Sequence, residues 1–244
     1  YVDLTVTDGD LGSDGSKVFT ARVTDVAGNV GTAGGSLTVT LDTTAPSAPS
    51  IDVAAGSDTG SSDADNLSSD DTPDVTVSLT GTNAVAGDVV KLLSGATQVG
   101  SFTLTSTEIT AGSVTITASD LGADGANSLT ATITDVAGNV SSASTAVTYT
   151  LDSSAPTAPT NAIVLATASD TGGVTDDDKT SDTTPTLRVD LTGTNAVAGD
   201  TVELLLGGSS LANAVEVELN STDITNGYVD LTVTDGDLGS DGSK

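Results

Sequence analysis

LGADGANSLTATITDVAGNVSSAS, Leu121–Ser144, is the stretch from which the fold is read. Within it Leu129, Ala131 and Ile133 alternate with Thr130, Thr132 and Thr134. That period of two puts one apolar face toward a core and a hydroxyl face toward water, as in a half-buried β-strand. The DVAGN that follows (Asp135–Asn139) carries Gly138 and Asn139, which accept left-handed backbone angles and predict a hairpin turn into the next strand. The same alternation recurs at Leu37, Val39 and Leu41 and at Leu187, Val189 and Leu191. Gly, Asp, Asn and Ser clusters separate the runs, spaced as in an all-β sandwich. No segment reads as a helix.

Around that stretch, residues 43–152 are expected to form one complete domain of seven strands in the order of an immunoglobulin-like sandwich. Strand A is expected near Pro49–Ala54, B at Asp74–Thr80 and C at Asp88–Leu93. A further strand or strand pair covers Gln98–Thr105, followed by E at Ser113–Ala118, F at Asn127–Thr134 and G at Val140–Leu151. Residues 1–42 read as strands E to G of a preceding domain, and residues 153–244 as strands A to E of a following one. Pro46 and Pro49 predict a stiff, extended linker between the first two.

Internal repetition supports this division. TDVAGNV occurs at Thr24–Val30 and at Thr134–Val140, and LDTTAPSAP (Leu41–Pro49) returns as LDSSAPTAP (Leu151–Pro159). LTGTNAVAGD occurs at Leu79–Asp88 and Leu191–Asp200. YVDLTVTDGDLGSDGSK at Tyr1–Lys17 is repeated without change at Tyr228–Lys244, a spacing of 227 residues. Packing would not preserve identity at solvent-facing loop positions such as Asp10 and Ser13, so a recent duplication is the better cause. Periods of this length exceed solenoid repeats and match whole small domains in series. The chain therefore reads as a window on a longer tandem array, with completion of its outer parts by another chain as the alternative.

Thirty-four acids against six bases give a formal net charge of −28, and all but four of the acids are Asp. Such a charge argues against nucleic acid or an anionic membrane as partner. The absence of Cys and His removes thiol nucleophiles, His-based triads and the usual zinc sites. Acid pairs could in principle serve glycoside hydrolysis, but no pair is set apart from its neighbours, and we expect no enzyme. No apolar run approaches the length of a membrane span.

The ordered set LDTTAPSAP, SDTG (Ser57–Gly60), DADNLSSDDTP (Asp63–Pro73) and Leu121–Ser144 resembles the tandem bacterial Ig-like repeats of giant calcium-dependent surface adhesins. These are the biofilm-associated and RTX-type proteins, and the resemblance covers the whole chain. It implies β-sandwich extender modules at the bacterial cell surface, holding a ligand-binding tip away from the cell, with Ca2+ at the domain junctions stiffening the array.

The positions of the carboxylates lead to the same cation. In an Ig-like sandwich the A–B and E–F loops share one pole and the B–C and F–G loops the other. At the second junction the A–B loop brings Asp58, Asp63, Asp65, Asp70 and Asp71, the E–F loop Asp120 and Asp124, and the linker Asp152. Asn195 and Asp200 of the next B–C loop face them. At the first junction the candidates are Asp8, Asp10, Asp14 and Asp42, facing Asn83, Asp88, Asp135 and Asn139. Clustered carboxylates repel, and a calcium ion with six to eight oxygen ligands relieves that repulsion. DGDLGSDG (Asp8–Gly15) could form a tight oxygen cage, although it lacks the helices and final Glu of an EF-hand. Each Asp taken singly is equally suited to forming a turn or capping a backbone amide.

Three functions are open at this point. The first is a structural extender whose partners are neighbouring repeats of the same chain and, in a filament or biofilm matrix, other copies. The second is a module that binds glycans or a surface directly, for which five aromatics leave little material. The third is a fibre subunit assembling laterally or head to tail.

Overall fold

The structure, a computed structural model, describes residues 2–174 and 177–239. The chain divides into two compact units, Tyr1–Ser153 and Ser154–Lys244.

The first unit opens with an antiparallel hairpin of β1 (Gly15–Phe19) and β2 (Leu37–Leu41), in which Lys17 faces Val39 and Phe19 faces Leu37. A two-sheet sandwich follows. One sheet contains β3 (Ser50–Val53), β5 (Asp74–Ser78) and β8 (Ser113–Thr117), with β5 central and both pairings antiparallel. The other holds β4 (Leu67–Ser68), β6 (Val89–Ser94), β7 (Thr97–Thr103), β9 (Gly125–Thr134) and β10 (Val147–Leu151), in the spatial order β4-β10-β9-β6-β7. All pairs in it are antiparallel except β4 with β10. The alternation seen in the sequence lands inward: Val75, Val77, Val90, Leu92, Leu129, Ala131, Ile133 and Tyr149 are fully buried between the sheets. This is the all-β, Ig-like sandwich that the pattern predicts.

Three local features depart from the sequence expectation. First, a helix, α1 (Ser106–Ala111), links β7 to β8. Thr105 caps it reciprocally with Glu108, and Gly112 closes it at φ 73°, so it is a capping box hidden in a Ser/Thr-rich run. Second, the last strand starts at Val147 rather than Val140. Between them Ser141 Oγ accepts from Ile133 N (2.9 Å) and Ser144 Oγ from Ala131 N (3.0 Å), so side chains replace part of the ladder. Third, β4 lies in the middle of the Asp- and Ser-rich A–B loop, where no strand is expected.

The second unit repeats the same early order. β11 (Val164–Leu165), β12 (Thr186–Asp190) and β17 (Tyr228–Thr232) form one antiparallel sheet, matching β3, β5 and β8. β13 (Thr201–Glu203) pairs with β16 (Glu216–Glu218), and β14 (Leu205–Leu206) with β15 (Ser209–Ser210). A second helix, α2 (Ser221–Asn226), carries its own capping box between Asn220 and Asp223. Val189, Leu204, Leu219, Val229, Leu231 and Val233 form its core.

The duplicated segment takes two conformations. At residues 228–232 it is β17, and Leu231 is 1% exposed. At residues 2–7 the same sequence forms no strand, against expectation, and Leu4 is 84% exposed. A strand needs a neighbour to accept its backbone bonds and a core to receive its side chains. β12 and its core provide both at 228–232.

Candidate functional site

The predicted site residues of the middle sandwich divide between its two poles, while Asp8, Asp10 and Asp14 precede it and Asp200 belongs to the second unit. Each DVAGN loop, at the first pole of the middle sandwich and in the β1–β2 connection, is closed by its own carboxylate. Asp135 accepts from Asn139 N (2.8 Å) and Asn139 Nδ2 (2.9 Å), as Asp25 does from Asn29 (both 2.8 Å). Asn139 Nδ2 also donates to the Asp42 carbonyl at 3.1 Å. The linker is fastened on its other side as well: Thr43 and Thr44 hydroxyls donate to Asp14 at 2.8 and 2.7 Å. Asp42 Oδ1 accepts from Thr44 N at 3.1 Å. Residues 42–44 thus join the β1–β2 hairpin to the hairpin loop after β9. Pro46 and Pro49 are buried rather than strung out as a spacer, and Ser47 N donates to the Thr82 carbonyl.

The Thr44 and Thr43 bonds hold the Asp14 carboxyl below its ordinary pKa, and the Asn139 side chain does the same for Asp135. Stability from a carboxyl with a depressed folded pKa is present above the unfolded value, about 3.9, and is lost as pH falls through the folded one. Carboxyl-carbon NMR titration should therefore show both groups ionising below about 3.9, with the linker bonds released in that acid range. Midpoints at or above the ordinary value would rule this out.

Asp8 and Asp10 lie on an exposed turn and, among the described residues, make no side-chain hydrogen bond. Asp88 closes the LTGTNAVAGD turn through Oδ2, which accepts from Val85 N at 2.9 Å, and Asp200 bonds Val197 N in the same way. Asn83 and Asn195 supply left-handed backbone to these turns, at φ 60° and 58°.

At the opposite pole the A–B and E–F loops do meet: Leu121 N donates to the Asp71 carbonyl at 2.9 Å. Asp58 enters the protein, 5% exposed, with Oδ2 accepting from Asn66 N at 3.0 Å. Asp65 and Asp70 accept from Leu67 N and Thr72 N, two residues on, and Asp120 from Gly122 N. Asp63 lies exposed on the loop. Asp124 holds the following linker through Ser153 N (2.9 Å) and Ser153 Oγ (2.7 Å), the counterpart of Asp14 with Thr43. Asp152 donates its own N–H to the Ser68 carbonyl. Most of the predicted ligands therefore shape turns and fasten linkers. Among the described residues no three Asp, Glu, His or Cys side chains stand together as a metal-holding group.

A smaller set has spare oxygens. Asp58 Oδ1 and Asp88 Oδ1 are buried without a hydrogen-bond partner, as are Asp170 Oδ1 and Asp237 Oδ2. Sequence reasoning passed over Asp170, although SDTG recurs at Ser169–Gly172. It also passed over Tyr149, which falls within the strand predicted at Val140–Leu151. The Tyr149 hydroxyl donates to the Ser57 carbonyl (3.2 Å) and the Asp70 carbonyl, anchoring the A–B loop from inside the core. Burial pushes its pKa up. The second copy of Asp14, at position 241, lies outside the described residues.

With two sheets, this strand order and these polar loops established, the comparison is direct. Residues 44–153 match the bacterial Ig-like domain family. No curated protein matches the chain. Bacterial Ig-like domains are typical of surface proteins, and the fold is of a non-catalytic type. Among the described residues no helix is long and apolar enough to cross a membrane.

Proposed function

We propose that this chain is an extender segment of a long, repetitive, extracellular adhesin of the RTX type, and that calcium at the domain poles stiffens it. The observation that carries the reading is repetition: a bacterial Ig-like domain is followed by a second unit with a matching three-stranded sheet, a matching capped helix and the same polar turns. Each domain contributes length on the order of 40 Å, at about 3.3 Å per strand residue plus its loops. The chain's charge of −28 keeps neighbouring copies apart.

Calcium fits the orphan oxygens. A buried carboxylate oxygen without a donor is costly, and the same vacancy in hydrogen bonding recurs at Asp58 and Asp170, equivalent positions of the two units. Asp58 and Asp88, at opposite poles of the middle domain, and Asp170 in the second unit would each contribute to a separate ion. Hard oxygen donors suit Ca2+, with loop carbonyls and water completing its shell. Bound only to the folded state, the ion adds stability by mass action. Calcium at 100 times its dissociation constant should raise the unfolding free energy by about 2.7 kcal/mol. Small-angle scattering should show a longer, stiffer particle than in chelator. Unchanged melting and scattering on chelation would remove calcium from the reading.

Direct glycan binding is less well supported. The one described Tyr beside acids and amides on a surface depression is Tyr228, near Asp190 and Asn226. Its ring is covered by the Arg188 guanidinium, 3.7 Å from the centroid, and Arg188 is itself held by Asp230. Arg188 thus occupies one of the ring faces on which a sugar would stack.

A further inference from the structure

We propose that the β1–β2 hairpin and the second unit are complementary parts of one Ig-like domain, so that the open edge of β13 is covered by the hairpin of the next copy of the same 227-residue unit.

Both surfaces are unfinished in a matching way. In the middle domain β6 is paired on both sides, by β7 and by β9. Its counterpart β13 is paired, among the described residues, on one side only, by β16. Conversely, the residues of β9 and β10 that fill the middle core are Leu129, Ala131, Ile133, Tyr149 and Leu151. Their counterparts, 110 positions earlier, are Phe19, Ala21, Val23, Val39 and Leu41. Val23 is 80% exposed, and Val39 is exposed as well. Phe19 is larger than Leu129, whereas Val39 is smaller than Tyr149 and Val23 smaller than Ile133, so the hairpin offers a smaller set of apolar side chains at the same alternating positions.

The register follows from the middle domain, where Val90 faces Ile133, Lys91 faces Thr132 and Leu92 faces Ala131. Carried over through the LTGTNAVAGD and TDVAGNV repeats, Val202 faces Val23, Glu203 faces Arg22 and Leu204 faces Ala21. The apolar pairs lie on the core side and the charged pair on the solvent side. Charge selects the same register. Glu203 already lies opposite Glu216 across β13–β16, a like-charge pair. Like charges directly opposite are unfavourable and an opposite charge relieves them. Arg22 has no acidic partner among the described residues. The 17-residue identity suggests the joint: in a chain continuing past Lys244 with the sequence that follows Lys17, Arg22 would come 17 residues after Thr232, against 15 between Thr117 and Thr132 in the middle domain, a loop longer by two residues.

The test is the full chain extended beyond Lys244 by a copy of residues 18–44. Hydrogen exchange of Thr201–Leu206 should slow by about tenfold or more relative to the unextended chain, and the second unit should melt at higher temperature. Arg22→Glu in the appended copy sets three Glu side chains in a row and should reverse most of the gain. Adding Glu203→Arg should restore it, a rescue that loss of folding alone would not give. Unchanged exchange at Thr201–Leu206, or failure of the charge swap to rescue, overturns the proposal and leaves that edge open or covered by a different partner. Calcium is kept constant throughout, so either result is independent of the calcium reading.

Discussion

Leu231→Ala is expected to destabilise the second unit by about 2–5 kcal/mol, while Leu4→Ala, in an identical sequence context, is expected to change stability by no more than about 0.5 kcal/mol. Leu231 is 1% exposed in the core beside Val229 and Val233, so truncation leaves a cavity as well as losing transfer energy. Leu4 is 84% exposed. Hydrogen exchange read separately over residues 186–233 and 2–41 measures both. Equal effects of the two substitutions would mean that local sequence, rather than the neighbouring strand, forms β17.

The hydroxyl of Tyr149 provides the second test. Tyr149→Phe keeps the ring in the core and removes the donor to the Ser57 and Asp70 carbonyls. The Asp70 carbonyl loses its bond inside the protein, and the expected cost is about 1–3 kcal/mol. Tyr149→Ala adds the cavity of a fully buried ring and should cost about 3–5 kcal/mol. The chain has no Trp and three Tyr, so circular dichroism is a better probe than fluorescence. The expected signature of Tyr149→Phe is a lower urea midpoint at unchanged slope, with faster exchange concentrated in the A–B loop. Global loss of protection with no bias toward that loop would argue that the hydroxyl is not its anchor.

The two cases show where sequence reading succeeds and where it stops. Leu129, Ala131 and Ile133 announce a strand and its buried face because alternation is a local property, and all three are fully buried. The DVAGN turn is legible for the same reason: Asp135, Gly138 and Asn139 make their closing bonds within five residues. Leu4 and Leu231 are indistinguishable by such means, because what separates them is the presence of β12. The helices Ser106–Ala111 and Ser221–Asn226 could have been found from their capping boxes, but they bury no residue completely and so lack the apolar period usually sought. β4 depends on a distant partner, β10, and its Leu-Ser pair gives no local sign of it.

Asp positions were legible as polar loops but not as individual roles. A carboxylate that caps an amide two residues on and one that could bind a cation carry the same side chain. Asp65, Asp70 and Asp120 do the first. Asp58 differs because the A–B loop folds it into the protein, with one oxygen on Asn66 N and the other free. That distinction rests on burial, which the Asp and Ser run around it does not encode.

The short parallel pairing of β4 with β10 has a mechanical consequence. Pulling force entering the middle domain through Asp152 runs along β10, which is flanked by β9 on one side and by β4 on the other. Antiparallel ladder bonds lie across the strand direction, so the load meets the β9 ladder in shear and must strain its bonds together rather than peel them singly. The clasp at Leu67–Ser68, with Thr150 N on the Asn66 carbonyl and Asp152 N on the Ser68 carbonyl, guards the end where the pull arrives. A strand of two residues thereby acts as a brake against extraction of the last strand.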